Sequence, residues 1–292
     1  MKPRKRILLI DTSSILHAVK HSGIAQLKNR DKPTYIMFGF MLKLQQLMRK
    51  TRSNVTVFAC DSKPEDSVRK KLYPAYKEKR NTKEKTQKEI DLDAVAYPQF
   101  NTVETHILPN IGYNNIFTTK GLEADDIIGR ICKTYSTCEI VIVTTDKDMY
   151  QLLTDTICII NPKNMQYFTK NKFIKEYGIF PKMWKRVKAI GGCYSDEVKG
   201  VKGVAEKTAL KYIKGELPAH HKTFQRIRSP EGKRIINRNK YLVILPLKRT
   251  PEYEIKEDRI SKIKLHNMAK EFGFMSIITD IENWYKILKG WS

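Results

Sequence analysis

Short runs of apolar residues recur along the first part of the chain, and most of them end at an acidic residue. The runs are RILLID (6–11), NVTVFACD (54–61), NIFTT (115–119), EIVIVTTDKD (139–148) and TICIIN (156–161). Their length and their content of β-branched residues predict buried strands. Stretches with helical spacing of apolar residues, such as YIMFGFMLKLQQLMRK (35–50), lie between them. This alternation predicts an α/β fold, with a mostly parallel sheet flanked by helices on both faces.

The pattern changes past residue 180, where the chain becomes basic and helical and glycines cluster between residues 191 and 203. We therefore expect two parts. Residues 1–180 form the core, and residues 181–292 form a helical region.

Acidic residues follow several of the predicted strands, or open the helix after one. They are Asp11, Asp61, Glu123, Asp125, Asp126, Asp146 and Asp148. Ligands in parallel sheets bind at the carboxyl ends of the strands. A single acid past a strand is usually a helix cap. Seven acids at one edge would repel one another by several kcal/mol unless a cation lay among them.

The chemistry of these side chains indicates which cation they would hold. Oxygen ligands favour hard ions such as Mg²⁺ or Mn²⁺. None of the six histidines falls in these motifs, which disfavours a histidine-based zinc site. Two such ions are the usual arrangement for hydrolysis of a phosphodiester bond.

The charge of the whole chain points to a polyanionic partner. Lys and Arg outnumber Asp and Glu by 55 to 31, a formal net charge of +24, and nucleic acid is the most common partner of so basic a protein. The five cysteines form no CxxC pair, which fits a reducing cytoplasm. The apolar run near the N-terminus is too short for a signal peptide or a membrane span.

A basic segment, RKKLYPAYKEKRNTKEKTQK (69–88), follows directly on Asp61 and contains nine Lys or Arg. Charge runs of this kind are usually solvated helix faces. Here Tyr73 and Tyr76 interleave with the cations, as they do on surfaces that bind single strands. Lys77 and Arg80 are three residues apart, so on a helix they would share one face and could both reach a phosphate held by the metal ions.

A glycine-rich turn with basic residues, GVKGVAEKTA (200–209), lies between two predicted helices. Its backbone N–H groups, Lys207 and Thr208 could hold a DNA phosphate without reading sequence. A plain helical hairpin is an equal alternative. Cys193, Asp196 and Glu197 come just before this turn and could add to the metal site.

Taken in order, these motifs resemble the 5′-nuclease superfamily of flap endonucleases and 5′→3′ exonucleases, and are most similar to its short phage and bacterial members. The resemblance runs over roughly residues 6–215. It is carried by Asp11, DSKPEDSVRKKLYPAYKEKR (61–80), GLEADD (121–126), TTDKDMYQLL (144–153) and the glycine turn.

The resemblance implies a nuclease core that holds two Mg²⁺ ions, for which Mn²⁺ can substitute, and a helical arch over the site at about residues 62–90. It also implies a helix–three-turn–helix element that grips duplex DNA and can hold K⁺. Asp196 joins the seven acids as a metal ligand, and Lys77, Arg80, Asp125 and Asp126 are the expected catalytic residues. Tyr76 matches an aromatic residue near the flanking base. The nucleic-acid contacts expected are Arg69, Lys70, Tyr76, Lys199, Lys202, Gly203, Lys207 and Thr208.

The sequence departs from the family pattern at two positions. Cys193 stands where a second-metal aspartate is usual, and Ala205 stands where the duplex-gripping turn usually has its second glycine. The first change predicts a weakened second metal site, since hard Mg²⁺ discriminates against sulfur. Glu197 could reach the ion instead.

The function expected is hydrolysis of DNA from a 5′ end or at a 5′ flap, and possible action on RNA·DNA hybrids, by a monomer in a bacterial or phage-infected cell. A non-catalytic nucleic-acid binder with the same fold is the alternative. A haloacid-dehalogenase-like phosphatase is discounted, because its Asp-x-Asp would read Asp11-Thr12-Ser13 here.

Overall fold

A six-stranded sheet forms the centre of the molecule. The computed structural model describes residues 5–21, 27–78 and 84–291. The strand order is β5-β4-β1-β6-β7-β8; the first five run parallel, and β8 is antiparallel to β7. These strands are β1 (Arg6–Asp11), β4 (Val55–Ala59), β5 (Ile116–Phe117), β6 (Glu139–Val143), β7 (Ile157–Asn161) and β8 (Gln166–Phe168). The predicted α/β fold with a mostly parallel sheet is confirmed.

Two small hairpins lie outside this sheet. Strands β2 (Lys28–Asn29) and β3 (Lys32–Pro33) form one, and β9 (Gly192–Cys193) and β10 (Val198–Lys199) form the other. The second hairpin falls in the glycine-rich region that was predicted as a simple loop between helices.

Helices occupy most of the remaining described chain. They are α1 (Thr12–Lys20), α2 (Tyr35–Thr51), α3 (Val68–Leu72), α4 (Gln87–Thr102), α5 (Leu108–Ile111), α6 (Ala124–Thr134), α7 (Lys170–Tyr177), α8 (Trp184–Gly191), α9 (Glu206–Lys214), α10 (Lys222–Arg228), α11 (Pro230–Val243), α12 (Lys262–Phe272), α13 (Met275–Thr279) and α14 (Ile281–Leu288). In the described ranges, no helix is both long and apolar enough to cross a membrane.

Alternate residues of β1 enter two different hydrophobic layers, as the period of two in a strand requires. Leu8 and Ile10 pack with α2 and with the C-terminal helices α12 to α14. Ile7 and Leu9 pack on the other face with α6 and α8. Chain from beyond residue 180 thus contributes to both layers, and the division of the protein into a core and a duplex-binding region stays a prediction about function.

A third, smaller cluster of buried residues joins the basic segment to the glycine-rich region. Tyr76 packs there with Ala189, Cys193, Val198 and Leu242. The turn that carries Lys77 is therefore anchored on the hairpin β9–β10 and on the end of α11.

Candidate metal centre and active site

The acids that follow the central strands meet at one edge of the sheet. Asp11 is the last residue of β1, and its register partner on β4 is Ala59, two residues before Asp61. Asp146 comes three residues after β6, the other neighbour of β1. Because the three strands are parallel and adjacent, their carboxyl ends place these side chains together.

Asp11, Asp61 and Asp146 are also helix caps, as a single acid past a strand would be. The Asp11 side chain accepts hydrogen bonds from Ser14 N (3.1 Å) and from Thr144 Oγ1 (2.9 Å). Asp61 Oδ1 accepts from the Ala124 amide at the start of α6 (2.9 Å), and Asp146 Oδ1 accepts from the Asp148 amide (2.7 Å). Capping and clustering therefore coexist, and the caps hold the carboxylates in fixed positions.

The pKa values of the clustered acids show that they repel one another. Burial, and after it the charge of Asp61, raises the pKa of Asp11 to about 6. Burial and the charge of Asp148 raise the pKa of Asp146 to about 6. Burial raises the pKa of Asp125 well above its ordinary value, and the charges of Asp146 and Asp11 add to that rise. Asp11 is buried, and Asp125 and Asp146 are half-buried. Carboxylates that destabilise one another in this way fit a divalent cation, which would lie among them and neutralise the charge.

Glu123 lies between this cluster and the basic segment. It accepts hydrogen bonds from Lys77 Nζ (2.8 Å) and the Tyr76 hydroxyl (2.9 Å). Burial alone would raise the pKa of Glu123, but the charges of Lys77 and Arg69 outweigh burial and leave that pKa lowered. Lys77 Nζ is also 3.8 Å from Asp196 Oδ1. Lys77 thus lies beside the acids, and its predicted role at the phosphate stays a prediction.

The backbone around Lys77 corrects one prediction. Helix α3 ends at Leu72, and residues 74–78 form a turn in which Lys77 has a φ of 53°. Lys77 is therefore not on a helical face. Pro74 supplies the reason, because a proline disfavours helical geometry in the residue before it, here Tyr73. Arg80, the predicted partner of Lys77, lies outside the described residues.

A second group of potential ligands adjoins the first. One side-chain atom each of Asp148, Cys193 and Asp196 lies within 4.8 Å of the others. Lys188 Nζ is 2.9 Å from Asp148 Oδ1 and 3.4 Å from Glu206 Oε2. Burial, and then Asp148 and Asp196, raises the pKa of the Cys193 thiol to about 12. Glu197 is in the left-handed conformation in the turn that follows (φ 60°) and is not a member of this group of three.

Asp126 faces away from the cluster in this structure, and its predicted role as a metal ligand and catalytic residue stays a prediction. It is fully buried, and both of its carboxylate oxygens bind the guanidinium of Arg69. Asp126 Oδ1 also accepts from the Leu247 amide (3.0 Å). With both oxygens so engaged, Asp126 would have to leave Arg69 before it could bind a cation.

Two residues predicted to contact nucleic acid are buried in this structure. Arg69 is only 2% exposed, because it pairs with Asp126 and donates to Leu242 O. Tyr76 is 3% exposed, and its ring packs in the third cluster, so its predicted contact with a base stays a prediction. Lys70 remains partly accessible and lines a cavity of about 170 Å³ with Lys77.

The glycine turn presents the predicted cations to solvent. Lys199, Lys202 and Lys207 are exposed, as is Gly203, which has a φ of 74°. Gly200 is required by close packing, since a Cβ there would lie 2.3 Å from the Gly191 carbonyl carbon. Thr208 lies in the first turn of α9 and is partly exposed. The turn is thus a rigid basic surface, and its contact with DNA stays a prediction.

Sequence reasoning missed Lys188. A lysine in a basic helix reads as a solvent-facing residue, yet Lys188 is buried against Asp148. The available signal was its position one turn after Trp184, which places it on the apolar face of α8.

Comparisons with known proteins identify the family. The profile described as "5'-3' exonuclease, N-terminal resolvase-like domain" matches residues 6–178. A 5'-3' exonuclease of Aquifex aeolicus is 30% identical over 212 residues, which are 72% of this chain and 69% of that protein. The thermostable DNA polymerase I of Thermus thermophilus is 27% identical over 80% of this chain, but only 27% of the polymerase is covered.

The fold is similar to that of a phage enzyme. The bacteriophage T5 flap endonuclease, in a pseudo-enzyme–product complex with DNA and metal ions, superposes with a TM-score of 0.70 at 19% identity, over 97% of this chain and all of that one. The profile match covers more than half of the chain and the Aquifex relative spans most of it, so this chain belongs to the 5′-3′ exonuclease family.

Proposed function

We propose that this protein hydrolyses phosphodiester bonds of DNA at 5′ ends and 5′ flap junctions with two Mg²⁺ ions. The observation that supports the proposal best is the cluster of mutually repelling carboxylates, buried or half-buried at the sheet edge, with Lys77 at its rim. Asp11, Asp125 and Asp146 would hold one ion, with Asp61 and Glu123 beside them. The ions would supply Lewis acidity and neutralise the phosphate charge.

Lys77 would act on the phosphate that is cleaved. In the structure its ammonium pairs with Glu123 at 2.8 Å. A cation bound among the acids would compete for that carboxylate, and the ammonium could then donate to a phosphate oxygen. The left-handed turn and the bond from the Lys77 amide to Asp196 O (3.0 Å) fix where the side chain begins.

The test of the proposed function is a product ladder from 5′-labelled nick, flap and RNA·DNA hybrid substrates with Mg²⁺. Short labelled products from a nick indicate exonuclease action, and one long product from a flap indicates junction cleavage. Cleavage of the hybrid would extend the proposal to RNA. Binding of all three without any cleavage in Mg²⁺ or Mn²⁺ would favour a non-catalytic binder.

We expect Lys77→Ala to lower the single-turnover cleavage rate by about 10²–10³-fold with little change in DNA affinity, the cost of removing one positioned charge donor. Lys71→Ala is the matched control, because Lys71 is an exposed lysine of the same segment that does not line the cavity. A loss of affinity as large as the loss of rate would reassign Lys77 to simple tethering.

DNA binding should be salt-sensitive and independent of sequence, because the exposed lysines of the glycine turn would meet phosphates. Lys207→Ala should reduce the slope of log affinity against log salt by about 0.9 on duplex DNA. Lys264→Ala is the control, since Lys264 is exposed on α12, which packs on the opposite face of the sheet. Equal slopes for the two variants would contradict a duplex contact at the turn.

Proton competition should make the Mg²⁺ requirement depend on pH. Asp11 and Asp146 have a pKa of about 6, so below that pH a cation must displace their protons, and above it they are already ionised. The Mg²⁺ concentration for half-maximal cleavage should therefore fall as pH rises through about 6, by about tenfold per pH unit for each proton displaced. The rise in melting temperature that Mg²⁺ causes should accordingly become larger as the pH rises through the same range. A midpoint that is constant between about pH 5 and about pH 8 would exclude these carboxylates as ligands.

Two further features of the proposal follow from the glycine turn and the cysteines. Backbone carbonyls of the turn would hold K⁺, and replacing K⁺ by Na⁺ at constant ionic strength should then weaken duplex binding. All five cysteines are free, which supports a reducing bacterial or phage-infected cytoplasm as the site of action of a monomeric enzyme.

A further inference from the structure

The position where this chain departs from its family lies in a preformed group of three potential ligands. Cys193 Sγ is 3.7 Å from Asp148 Oδ2 and 3.4 Å from Asp196 Oδ2. The three residues are 3%, 7% and 8% exposed. Sulfur and oxygen donors are thus held together away from bulk water.

The backbone around the group leaves little freedom for its members to separate. Cys193 pairs with Val198 in the hairpin β9–β10. Asp196 lies in the short 3₁₀ turn that connects those strands, and its carbonyl accepts from the Lys77 amide. Asp148 lies in the 3₁₀ helix after β6, and its amide donates to Asp146.

The distances fit coordination of one small cation. A tetrahedral zinc ion, with metal–sulfur bonds of about 2.3 Å and metal–oxygen bonds of about 2.1 Å, separates sulfur from oxygen by about 3.6 Å. The two observed separations lie on either side of that value. Cys193 Sγ also lies 3.1 Å from Ser195 Oγ, and a thiol has a single proton that it can donate to one of these oxygens at a time. Hydrogen bonds from the thiol therefore cannot account for both carboxylate contacts together.

A second observation comes from the other oxygen of Asp148. Asp148 Oδ1 is buried, and the Lys188 ammonium, at 2.9 Å, is its partner among the described residues. This oxygen becomes available to a cation if Lys188 moves away. Lys188 has Glu206 as a second partner at 3.4 Å, to which it can shift.

We propose that Cys193, Asp148 and Asp196 form a mixed sulfur–oxygen site for a thiophilic divalent cation of the zinc class, Zn²⁺ or Co²⁺. The inference rests on the proposed function and refines it: Mg²⁺ still binds at this second metal position, but less tightly than a thiophilic cation does. On binding, the Cys193 S–H proton leaves to solvent and the sulfur lone pair forms the bond to the metal. The thiolate, two carboxylates and Lys188 then carry a formal charge of −2, which the cation balances.

The test is a Co²⁺ titration of the full-length protein in the absence of DNA, with absorption spectroscopy. Sulfur coordination gives a ligand-to-metal charge-transfer band that oxygen coordination lacks. We expect one equivalent of this band in the parent protein and none in Cys193→Ser. Cys138→Ser is the control, because Cys138 is a partly buried free cysteine outside the group, and it should keep the band. Zn²⁺ should displace the Co²⁺, with an affinity at least about tenfold lower in Cys193→Ser.

Cys193→Asp keeps the result decisive if the serine variant folds poorly. It restores an oxygen donor, so it should lose the band, bind Mg²⁺ more tightly and show cleavage at lower Mg²⁺. A band that persists in either Cys193 variant, or Co²⁺ bound by the parent protein without a band, would overturn the inference. If the parent protein cleaves DNA with Mg²⁺ but shows no charge-transfer band with Co²⁺, this inference is wrong and the proposed function stands. If it shows the band but cleaves no substrate, the proposed function is wrong and this inference stands.

Discussion

Asp125→Asn is expected to reduce cleavage of a 5′ flap by at least about 10³-fold and to leave duplex binding intact. Burial raises the pKa of Asp125 well above its ordinary value, and the charges of its neighbours Asp146 and Asp11 add to that rise. Asp125 accepts no hydrogen bond from any described residue, so its oxygens are available to a cation. An amide at this position removes the charge without changing the shape of the side chain.

The same variant should be as stable as the parent protein, or more stable, when no metal is present. A carboxylate with a raised pKa in the folded state disfavours folding above its unfolded pKa, and the amide removes that effect at neutral pH. Mg²⁺ should then raise the melting temperature of Asp125→Asn less than that of the parent protein. Loss of activity together with equal or greater stability is the signature expected of a metal ligand.

Single-turnover cleavage in Mg²⁺, DNA binding in chelator and thermal melting with and without Mg²⁺ would measure these effects. Asp155→Asn is a suitable control, because Asp155 is an exposed acid that pairs with Lys170 on the surface. Cleavage by Asp125→Asn within about tenfold of the parent rate would show that the cluster does not hold the catalytic cation.

The sheet and the meeting of acids at its edge could be predicted because both depend on local pattern. Apolar runs such as RILLID identify strands without knowledge of their partners. Parallel strands then deliver whatever follows them to a single edge. Asp11, Asp61 and Asp146 were assigned in this way, and the structure places them as expected at the carboxyl ends of adjacent strands.

The roles of Arg69 and Asp126 could not be predicted by the same route. Asp126 is adjacent in sequence to Asp125, but one helical residue turns its side chain by about 100°. Its partners Arg69 and Leu247 are 57 and 121 residues away. Whether a charged side chain faces the site or the interior was therefore decided by long-range contacts that leave no periodic signal.

The turn at Lys77 is a different case, because the sequence does carry a signal for it. The Tyr73-Pro74 pair ends α3, as prolines commonly end helices. The high density of lysine and arginine favoured a continuous helix in the sequence interpretation. The proline determines where this helix ends more strongly than the average composition of the segment does.

The largest effect on stability is expected at the ion pair between Arg69 and Asp126, where Asp126→Asn should cost about 3–5 kcal/mol of the free energy of unfolding. Both side chains are buried, at 2% and 0% exposure. Removing the carboxylate charge leaves the guanidinium without its main partner, since Glu123 is 3.6 Å away and paired with Lys77. The loss is large for a domain whose total stability is about 5–15 kcal/mol.

Urea unfolding of Asp126→Asn, Arg69→Met and the double variant would measure the pair. Each single change leaves the other member of the pair buried without its partner. We therefore expect the double variant to lose about 1–3 kcal/mol less free energy of unfolding than the sum of the two single losses. Glu139→Gln is the matched control, because it breaks an arginine–carboxylate pair with Arg6 whose side chains are 40% and 39% exposed. That pair should contribute about 0–1 kcal/mol.

The Arg69–Asp126 pair also connects elements that position the site. The cleavage rate of these variants therefore reports on the site as well as on the stability of the fold. Arg69 donates to Leu242 O at the end of α11 and belongs to α3, five residues before the turn that carries Lys77. After correction for the folded fraction, Asp126→Asn should retain far more cleavage than Asp125→Asn, and its Mg²⁺ midpoint should stay near that of the parent protein. The opposite result, unchanged stability with a cleavage loss as large as that of Asp125→Asn, would show that Asp126 leaves Arg69 when metal binds and acts as a ligand. Comparison of the Asp125 and Asp126 variants therefore distinguishes the chemistry of the site from the ion pair that supports it.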